Sequence, residues 1–179
     1  MSELQSQTQR FAVGIEYDGS AYNGWQIQPH APSIQQALNS AITSVANEPV
    51  ECTGAGRTDT GVHAVGQIGH FDSLAQRSLR SWLLGINSNL PPDIVVTWIC
   101  RVSHDFHARF SAVSRTYRYV ILNRPVRSAL SRHRAWWVYQ PLDQARMQEA
   151  ATFLLGEHDF SAFRSASCQS HSAVRYMSE

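Results

Sequence analysis

The chain has 179 residues, of which 43% are hydrophobic, and a formal net charge of +1 at pH 7. This length and hydrophobic content suit one large domain or two small ones with a buried core, and no long apolar run predicts a membrane span. Its basic residues are fifteen arginines without a single lysine, which excludes Schiff-base and P-loop chemistry that depends on lysine.

The first hundred residues predict alternating strands and helices. A polar tail over 1–9, without the apolar centre of a signal peptide, is typical of a cytoplasmic protein and precedes a strand over 11–18 with alternating apolar residues. After a loop rich in turn formers, a helix is predicted from the N-cap Ser33 to just before Pro49. The remaining predicted elements are strands over 50–54 and 65–71, a helix over 77–87 and a strand over 94–102.

This strand–helix–strand–strand–helix–strand order is that of a ferredoxin-like fold, so we predict an α+β protein with a ferredoxin-like (RRM-like) domain over 10–105. A partial C-terminal α+β domain is expected over 106–179, where the pattern restarts but the chain ends before the sheet is covered. Its predicted elements are a strand over 112–123, a short strand over 135–140 and a helix over 141–155, ended by Gly156, whose apolar face contributes to a core.

Eight of the arginines fall within 101–134, where Asp105 is the only acidic residue. Guanidinium groups bind phosphates with two donors and stack on bases, so arginines interleaved with tyrosines and tryptophans are typical of nucleic-acid binding. The alternative is a solvated charged face that is balanced by acids elsewhere. The arginines of this basic stretch are Arg101, Arg109, Arg115, Arg118, Arg124, Arg127, Arg132 and Arg134.

The cysteines and histidines indicate no metal centre. Cys52, Cys100 and Cys168 are far apart and form no C-x-x-C pair, which indicates idle thiols rather than a disulfide framework or a zinc site. His104 and His107 lack the further ligands of a metal set, so we expect them to be structural or to face RNA.

The stretch GAGRTDTGVHA, residues 54–64, predicts a tightly specified loop. Each glycine disfavours a helix by about 1 kcal/mol, and the polar residues do not alternate with apolar ones as in a strand. We expect Thr58 and Thr60 to hydrogen-bond the loop onto itself, and Arg57 to favour the ionised form of the Asp59 carboxylate. From these residues alone, a catalytic loop and a structural salt-bridged loop are both open.

Six blocks of sequence, spread in order along nearly the whole chain, together resemble one family. They are YDGSAYNGWQ at 17–26, SIQQAL at 33–38, GAGRTDTGVHA at 54–64, NLPPDI at 89–94, FHARFSAVSRTYRY at 106–119 and GEHDFSAFR at 156–164. The family that they resemble is tRNA pseudouridine synthase A.

The resemblance implies a homodimeric enzyme of the pseudouridine synthase fold, which needs no metal or cofactor. It would isomerise uridine to pseudouridine in the anticodon arm of tRNA, typically at positions 38, 39 and 40. By the same resemblance, Asp59 is the catalytic aspartate, Arg57 helps to displace the target nucleotide, and Tyr117 stacks on the target base. The expected RNA contacts in the basic stretch are Arg109, Arg115 and Arg118.

The resemblance ends near 168–170, and the residues HSAVRYMSE do not match the expected continuation. In the family that continuation carries an arginine that pairs with the catalytic aspartate, a role that Arg175 does not inherit. We therefore expect a truncated chain with low solubility and little turnover. Two other functions stay open: an RNA-binding remnant without turnover, and a glycoside hydrolase, which usually needs a second carboxylate. Asp159 is expected to be a structural turn or cap residue.

Overall fold

The computed structural model describes residues 8–164 and 172–178. The predicted α+β class is confirmed, since the described residues form three α-helices and a mainly antiparallel set of strands. The chain divides into two compact units between Arg118 and Tyr119.

The first unit extends further along the chain than the predicted domain boundary at 105–106. It includes residues up to Arg118, because hydrogen bonds join Phe106, Ala108 and Arg115 to the first sheet or to its loops. The predicted domain bounds stay a prediction. Most of the predicted tail, 1–7, lies outside the described residues, and Gln9 already belongs to a strand.

The first unit contains the six predicted elements in the predicted order. Ser33 caps the first helix by accepting a hydrogen bond from Gln36 N at 3.2 Å, and Asn47 ends that helix in the left-handed conformation with φ 59°. The strand expected over 50–54 is shorter, because only its last two residues pair with the next strand. The elements are β1 Gln9–Tyr17, α1 Ile34–Ala46, β2 Thr53–Gly54, β3 Ala64–Ser73, α2 Leu79–Asn89 and β4 Ile94–Val102.

These four strands form one antiparallel sheet in the order β2-β3-β1-β4. Alternate residues of β1, among them Phe11, Val13 and Ile15, are buried beneath the two helices. Trp82 of α2 packs with its ring centroid 5.4 Å from that of Phe11 and 5.3 Å from that of Phe71 on β3. Each such aromatic side chain contributes about 2–3 kcal/mol on burial, so the two central strands are a firm support for the loops at their ends.

The other face of the sheet is partly covered by the segment over 104–111. Arg10 of β1 donates to the backbone carbonyls of His104 and Phe106 at 2.6 and 2.9 Å. Its guanidinium also pairs with Asp72 of β3 at 2.7 Å. The hydrogen bonds from Arg10 hold the pKa of the Asp72 carboxyl below its usual value, because they stabilise the ionised form.

His70 of β3 gives the same segment a second anchor. Its Nδ1 accepts a hydrogen bond from the backbone N–H of Ala108 at 3.2 Å, and its ring centroid lies 4.7 Å from that of His107. Burial, followed by the charge of His107, lowers the pKa of His70, which favours the neutral acceptor form. His104 also contacts the protein, with Nε2 2.8 Å from the Thr8 carbonyl oxygen.

The second unit has short elements, and none of its described residues is buried. The strand predicted over 112–123 forms only over its last three residues, and the prediction is wrong over 112–119, where no described strand pairs with the backbone; the Val120 carbonyl already accepts from Trp136 N at 2.8 Å. Alternation in sequence makes a strand only where a partner satisfies the backbone N–H and C=O groups. The elements are β5 Ile121–Asn123, β6 Trp136–Val138, α3 Gln144–Thr152, β7 Gly156–Asp159 and β8 Val174–Met177, with β5 parallel to β6 and β7 antiparallel to β8.

Helix α3 is shorter than predicted, and its apolar side chains remain exposed. It begins after Asp143, whose Oδ1 accepts from the N–H of Arg146 at 3.0 Å, and it contains no buried residue. The expectation that Gly156 ends this helix is wrong, because α3 ends at Thr152 with Phe153 as its C-cap, and Gly156, with φ 92°, is the first residue of β7. The structural role predicted for Asp159 is confirmed, because its Oδ1 accepts from the N–H and the hydroxyl of Ser161 at 2.8 and 2.6 Å.

Within the described ranges, no helix is long and apolar enough to cross a membrane, and no three His, Cys, Asp or Glu side chains are grouped to hold a metal. Two thiols are free, Cys52 in the core and Cys100 on the surface, while Cys168 lies outside the described residues. Burial raises the pKa of the Cys52 thiol to about 12.

Candidate active site

The glycine-rich loop over 55–63 connects β2 to β3. Ala55 N donates to the Ile68 carbonyl at 2.7 Å, which extends the pairing of the two strands by one step. At the other end of the loop, β3 begins at Ala64, opposite Tyr17 of β1. The loop therefore leaves the sheet at the C-terminal end of its central strand β1.

The backbone of a second loop, between β1 and α1, holds the glycine-rich loop in place. Trp25 N donates to the Thr58 carbonyl at 3.0 Å, and Gly61 N donates to the Tyr22 carbonyl at 3.2 Å. Gly24 has φ 85°, and a Cβ at this position would overlap the Thr58 carbonyl oxygen. The two backbones thus approach so closely that only glycine fits between them.

Side chains of β1 and β3 add two further hydrogen bonds. The Tyr17 hydroxyl lies 2.9 Å from Thr58 Oγ1, and Gln67 Nε2 donates to the Gly56 carbonyl at 2.7 Å. The expectation that Thr58 bonds within its own loop is wrong, because its hydroxyl bonds to the sheet. For Thr60 no side-chain hydrogen bond to another described residue is present. Burial raises the pKa of Tyr17, so its hydroxyl stays protonated.

The C-terminal end of the loop is held by His63. Its Nδ1 accepts from Gly19 N at 3.2 Å and lies 3.1 Å from Asp18 Oδ1. Gly19 is itself packed against the loop, since a Cβ there would overlap the Val62 carbonyl oxygen. Both ends and the middle of the loop are thereby fixed.

Asp59 lies in the middle of this fixed loop, and its side chain is exposed. Among the described residues, no group donates a hydrogen bond to its carboxylate or forms an ion pair with it. Arg57 is exposed as well, and no ion pair joins these two described residues. Gly61 has φ 78° and open space around its Cβ position. The arrangement combines an immobilised backbone with an accessible carboxylate.

The segment that carries the other predicted site residues reaches this loop through Arg115. The Arg115 guanidinium donates to the Ala55 carbonyl at 2.8 Å and to the Arg109 carbonyl at 3.2 Å. Tyr117, two residues later, is 81% exposed, and its ring is accessible. Arg118 is also exposed, and among the described residues over 109–118 the side chain of Arg115 alone hydrogen-bonds to the loop.

Sequence reasoning missed three residues that hold the loop, namely Tyr17, Gly24 and Gln67. Alternation marked Tyr17 as a core residue of β1, which is true of its ring but hides the role of its hydroxyl. The glycine in the block YDGSAYNGWQ was the available signal, because an isolated glycine in a loop often marks a close approach of two backbones.

Comparison with known proteins bears on the same residues. The profile of the tRNA pseudouridine synthase family matches residues 14–111. The chain is 56% identical over 164 residues to tRNA pseudouridine synthase A of Hydrogenovibrio crunogenus, a match that covers 92% of this chain and 63% of the relative. The chain belongs to the tRNA pseudouridine synthase family.

Two further relatives in this family are tRNA pseudouridine synthases A of Coxiella burnetii and Klebsiella pneumoniae. Both are 52% identical, over 166 and 176 residues, which cover 93% and 98% of this chain. The matches cover 64% and 65% of those relatives, so the chain spans just under two thirds of their length. The range matched by the family profile contains the whole glycine-rich loop and the residues of β1, β3 and the second loop that hold it.

Proposed function

We propose that this chain acts as a tRNA pseudouridine synthase, which isomerises uridine to pseudouridine in the anticodon stem-loop at position 38, 39 or 40. The observation that carries the proposal is the exposed Asp59 carboxylate on a loop that several hydrogen bonds immobilise. Membership in the family supports the class of reaction, and the identity of 52–56% to synthases A supports tRNA as the substrate.

The reaction is a redox-neutral rearrangement within one nucleotide. The bond between N1 of uracil and C1′ of the ribose breaks, the freed base turns, and C5 forms the new bond to C1′. C5 loses its proton and N1 gains one, so no group is lost and no cofactor is needed. A carboxylate beside the ribose serves either as the nucleophile at C1′ or as the base that removes a sugar proton, and Asp59 fills this role in the proposal.

The other site residues act on the position of the nucleotide. A target uridine must leave its stacked helix, at a cost of a few kcal/mol, before the carboxylate can reach the sugar. In the proposal Arg57 occupies the vacated space, and the exposed ring of Tyr117 stacks on the uracil. RNA is further bound by the exposed arginines Arg109, Arg115 and Arg118.

We also assign the first unit to the ferredoxin-like arrangement and the second unit to part of the pseudouridine synthase fold. Support comes from the order β2-β3-β1-β4 and from two helices on one face of the sheet, both of which a split β-α-β fold requires. A cytoplasmic homodimer belongs to the same proposal and rests on the family resemblance.

The test is an assay with tRNA that carries tritium at C5 of uridine. Isomerisation releases tritium to water, because C5 loses its hydrogen when it bonds to C1′. Asp59→Asn should bind tRNA nearly as tightly as the parent chain and release no tritium. Glu51→Gln, which removes an exposed carboxylate outside the loop, is the matched control. Appreciable release by Asp59→Asn would show that Asp59 is not the catalytic group.

Binding of RNA without turnover is the second candidate function. It is favoured by the exposed arginines Arg109 and Arg118, which can bind phosphates of RNA without any catalytic step. In the same assay this candidate predicts bound tRNA with its tritium retained.

The structure gives less support to a glycoside hydrolase, the third function that the sequence left open. Two acids on the neighbouring loops already have partners: Asp18 lies beside His63, and Asp93 accepts from the Tyr22 hydroxyl at 2.7 Å. A hydrolase needs a second carboxylate free to act on water or on the leaving group. Release of free uracil would nonetheless identify this activity.

A further inference from the structure

Arg115 contacts the protein at two separate places with a single terminal nitrogen. That nitrogen donates to the Ala55 carbonyl, at the start of the glycine-rich loop, and to the Arg109 carbonyl, in the segment over 104–111. The Arg115 Nε atom also lies 3.5 Å from the Cβ position of Gly56, so the side chain follows the loop backbone closely.

Each of the two carbonyl groups belongs to an element that is fixed independently. The Ala55 peptide is paired with β3 through its N–H. The segment that contains Arg109 is fastened to the sheet by Arg10, which donates to the Phe106 carbonyl, and by His70, which accepts from Ala108 N. The Arg115 side chain therefore links two parts of the first unit, each of which other hydrogen bonds also hold in place.

Arg115 connects the two parts of the predicted site, which are the Asp59 loop and the segment that carries Tyr117. Ala55 lies four residues before Asp59, and Arg115 lies two residues before Tyr117. Among the described residues no backbone hydrogen bond holds the stretch over 112–118, and the Arg115 guanidinium joins this stretch to the loop.

We propose that Arg115, besides its place in the basic stretch, is a positioning residue that sets the placement of the Tyr117 segment relative to the Asp59 loop. Arg115 reaches both carbonyl oxygens from one nitrogen at the end of a rigid, planar guanidinium, whereas a lysine ammonium is carried on a flexible stem and its three N–H bonds rotate. A contact with phosphate does not require a guanidinium, because lysine also binds phosphate as a point charge. Arg115→Lys therefore separates the two roles.

The first experiment measures hydrogen exchange by mass spectrometry on the full chain without RNA. The reporters are the amides of Trp25, Gly61 and Val62, whose acceptors include two carbonyls of the glycine-rich loop. We expect exchange at these amides to become faster by on the order of tenfold in Arg115→Lys and Arg115→Ala, the effect of losing one charge-assisted hydrogen bond. Amides of β1 report global unfolding and should not change.

The second experiment measures turnover of the tritiated tRNA, and this part rests on the proposed function. Arg115→Lys should lower kcat by roughly tenfold or more with little change in KM, because a misplaced carboxylate affects the chemical step more than binding. Arg80→Lys makes the same replacement on an exposed position of α2, outside the site and the basic stretch, and is the control for both experiments.

The outcomes are distinct. Faster loop exchange in Arg115→Lys with unchanged β1 amides supports the positioning role, and a fall in kcat at constant KM extends that role to catalysis. Loop exchange equal to that of Arg80→Lys in both Arg115 variants overturns the proposal, whereas faster loop exchange with a full kcat in Arg115→Lys overturns only its extension to catalysis. If the parent chain releases no tritium, the proposed function fails while the exchange experiment still decides whether Arg115 holds the loop.

Discussion

The close approach of Gly24 to Thr58 provides a quantitative test of how the glycine-rich loop is held. Gly24 and Gly61 have similar left-handed backbones, with φ 85° and 78°. They differ in their surroundings: a Cβ at Gly24 would overlap the Thr58 carbonyl oxygen, whereas a Cβ at Gly61 would have no atom within 4 Å. Alanine at the two positions therefore separates backbone strain from steric contact.

The expected magnitudes follow from these contacts. Alanine in the left-handed region costs about 1–2 kcal/mol at either position. Gly24→Ala must also move the Thr58 carbonyl, which removes its hydrogen bond from Trp25 N, worth about 1 kcal/mol, and forces a backbone shift of about 1–3 kcal/mol. We expect Gly61→Ala to lower the free energy of unfolding by about 1 kcal/mol and Gly24→Ala to lower it by about 4 kcal/mol.

Urea unfolding followed by tryptophan fluorescence measures this difference, since Trp25 and Trp82 are buried in the first unit. Gly24→Ala should also abolish tritium release at temperatures where the chain remains folded, because the displaced Thr58 carbonyl lies next to Asp59 in the chain. Equal destabilisation by the two variants would refute the reasoning, since it would mean that φ alone, and not the contact between the two loops, requires glycine at Gly24.

Because hydrogen bonds from Arg10 lower the pKa of Asp72, the ionised pair stabilises the fold above the ordinary carboxyl pKa of 3.8 and ceases to do so as the pH falls through the lowered pKa. The free energy of unfolding should thus fall less in Asp72→Asn than in the parent between about pH 5 and pH 2, and parallel curves would contradict the pairing. Iodoacetamide at neutral pH should label the exposed Cys100 and leave the buried Cys52 unmodified until the chain unfolds, as peptide mapping would reveal. Affinity for tRNA should fall with salt at a log–log slope of about −0.7 to −0.9 per phosphate contact, and Arg118→Ala should make that slope shallower; an affinity independent of salt would argue against a surface that binds the RNA backbone.

The sequence predicted the first unit well because its signals are local. Alternation in β1, the Ser33 cap and the β-branched run of β4 each depend on residues close together in the chain, and each element appears where the pattern predicts it. The position of the glycine-rich loop follows from the same elements, since it lies between two strands that were both anticipated.

Contacts between distant residues could not be predicted in this way. The hydroxyl of Thr58 faces Tyr17, 41 positions earlier, and the guanidinium of Arg115 reaches Ala55, 60 positions earlier. Neither contact can be recognised from apolar periodicity. Periodicity indicates which face of a helix or strand is apolar, but it does not identify the residues that pack against that face. The same reason explains the strand expected over 112–119: its residues alternate, but no described strand lies beside it to form a ladder.

The described residues of the second unit bury little apolar surface. None of its described residues is buried, and large apolar side chains such as Trp136 and Phe153 are 58% and 74% exposed. A nine-residue helix such as α3 is marginal in water unless an apolar face packs against a partner, and β5 and β6 pair over only three residues.

We therefore expect the amides of α3, β5 and β6 to exchange with protection of less than about 1 kcal/mol, while the amides of β1 and β3 retain the full protection of the first unit. The exposed apolar surface should also bind a hydrophobic dye and promote aggregation as the protein concentration rises. Hydrogen exchange on the full chain makes the comparison within one molecule, so the first unit is its own control. Protection of α3 equal to that of β1 would show that the two units unfold as one cooperative body, and that exposure of apolar side chains does not determine the stability of the second unit.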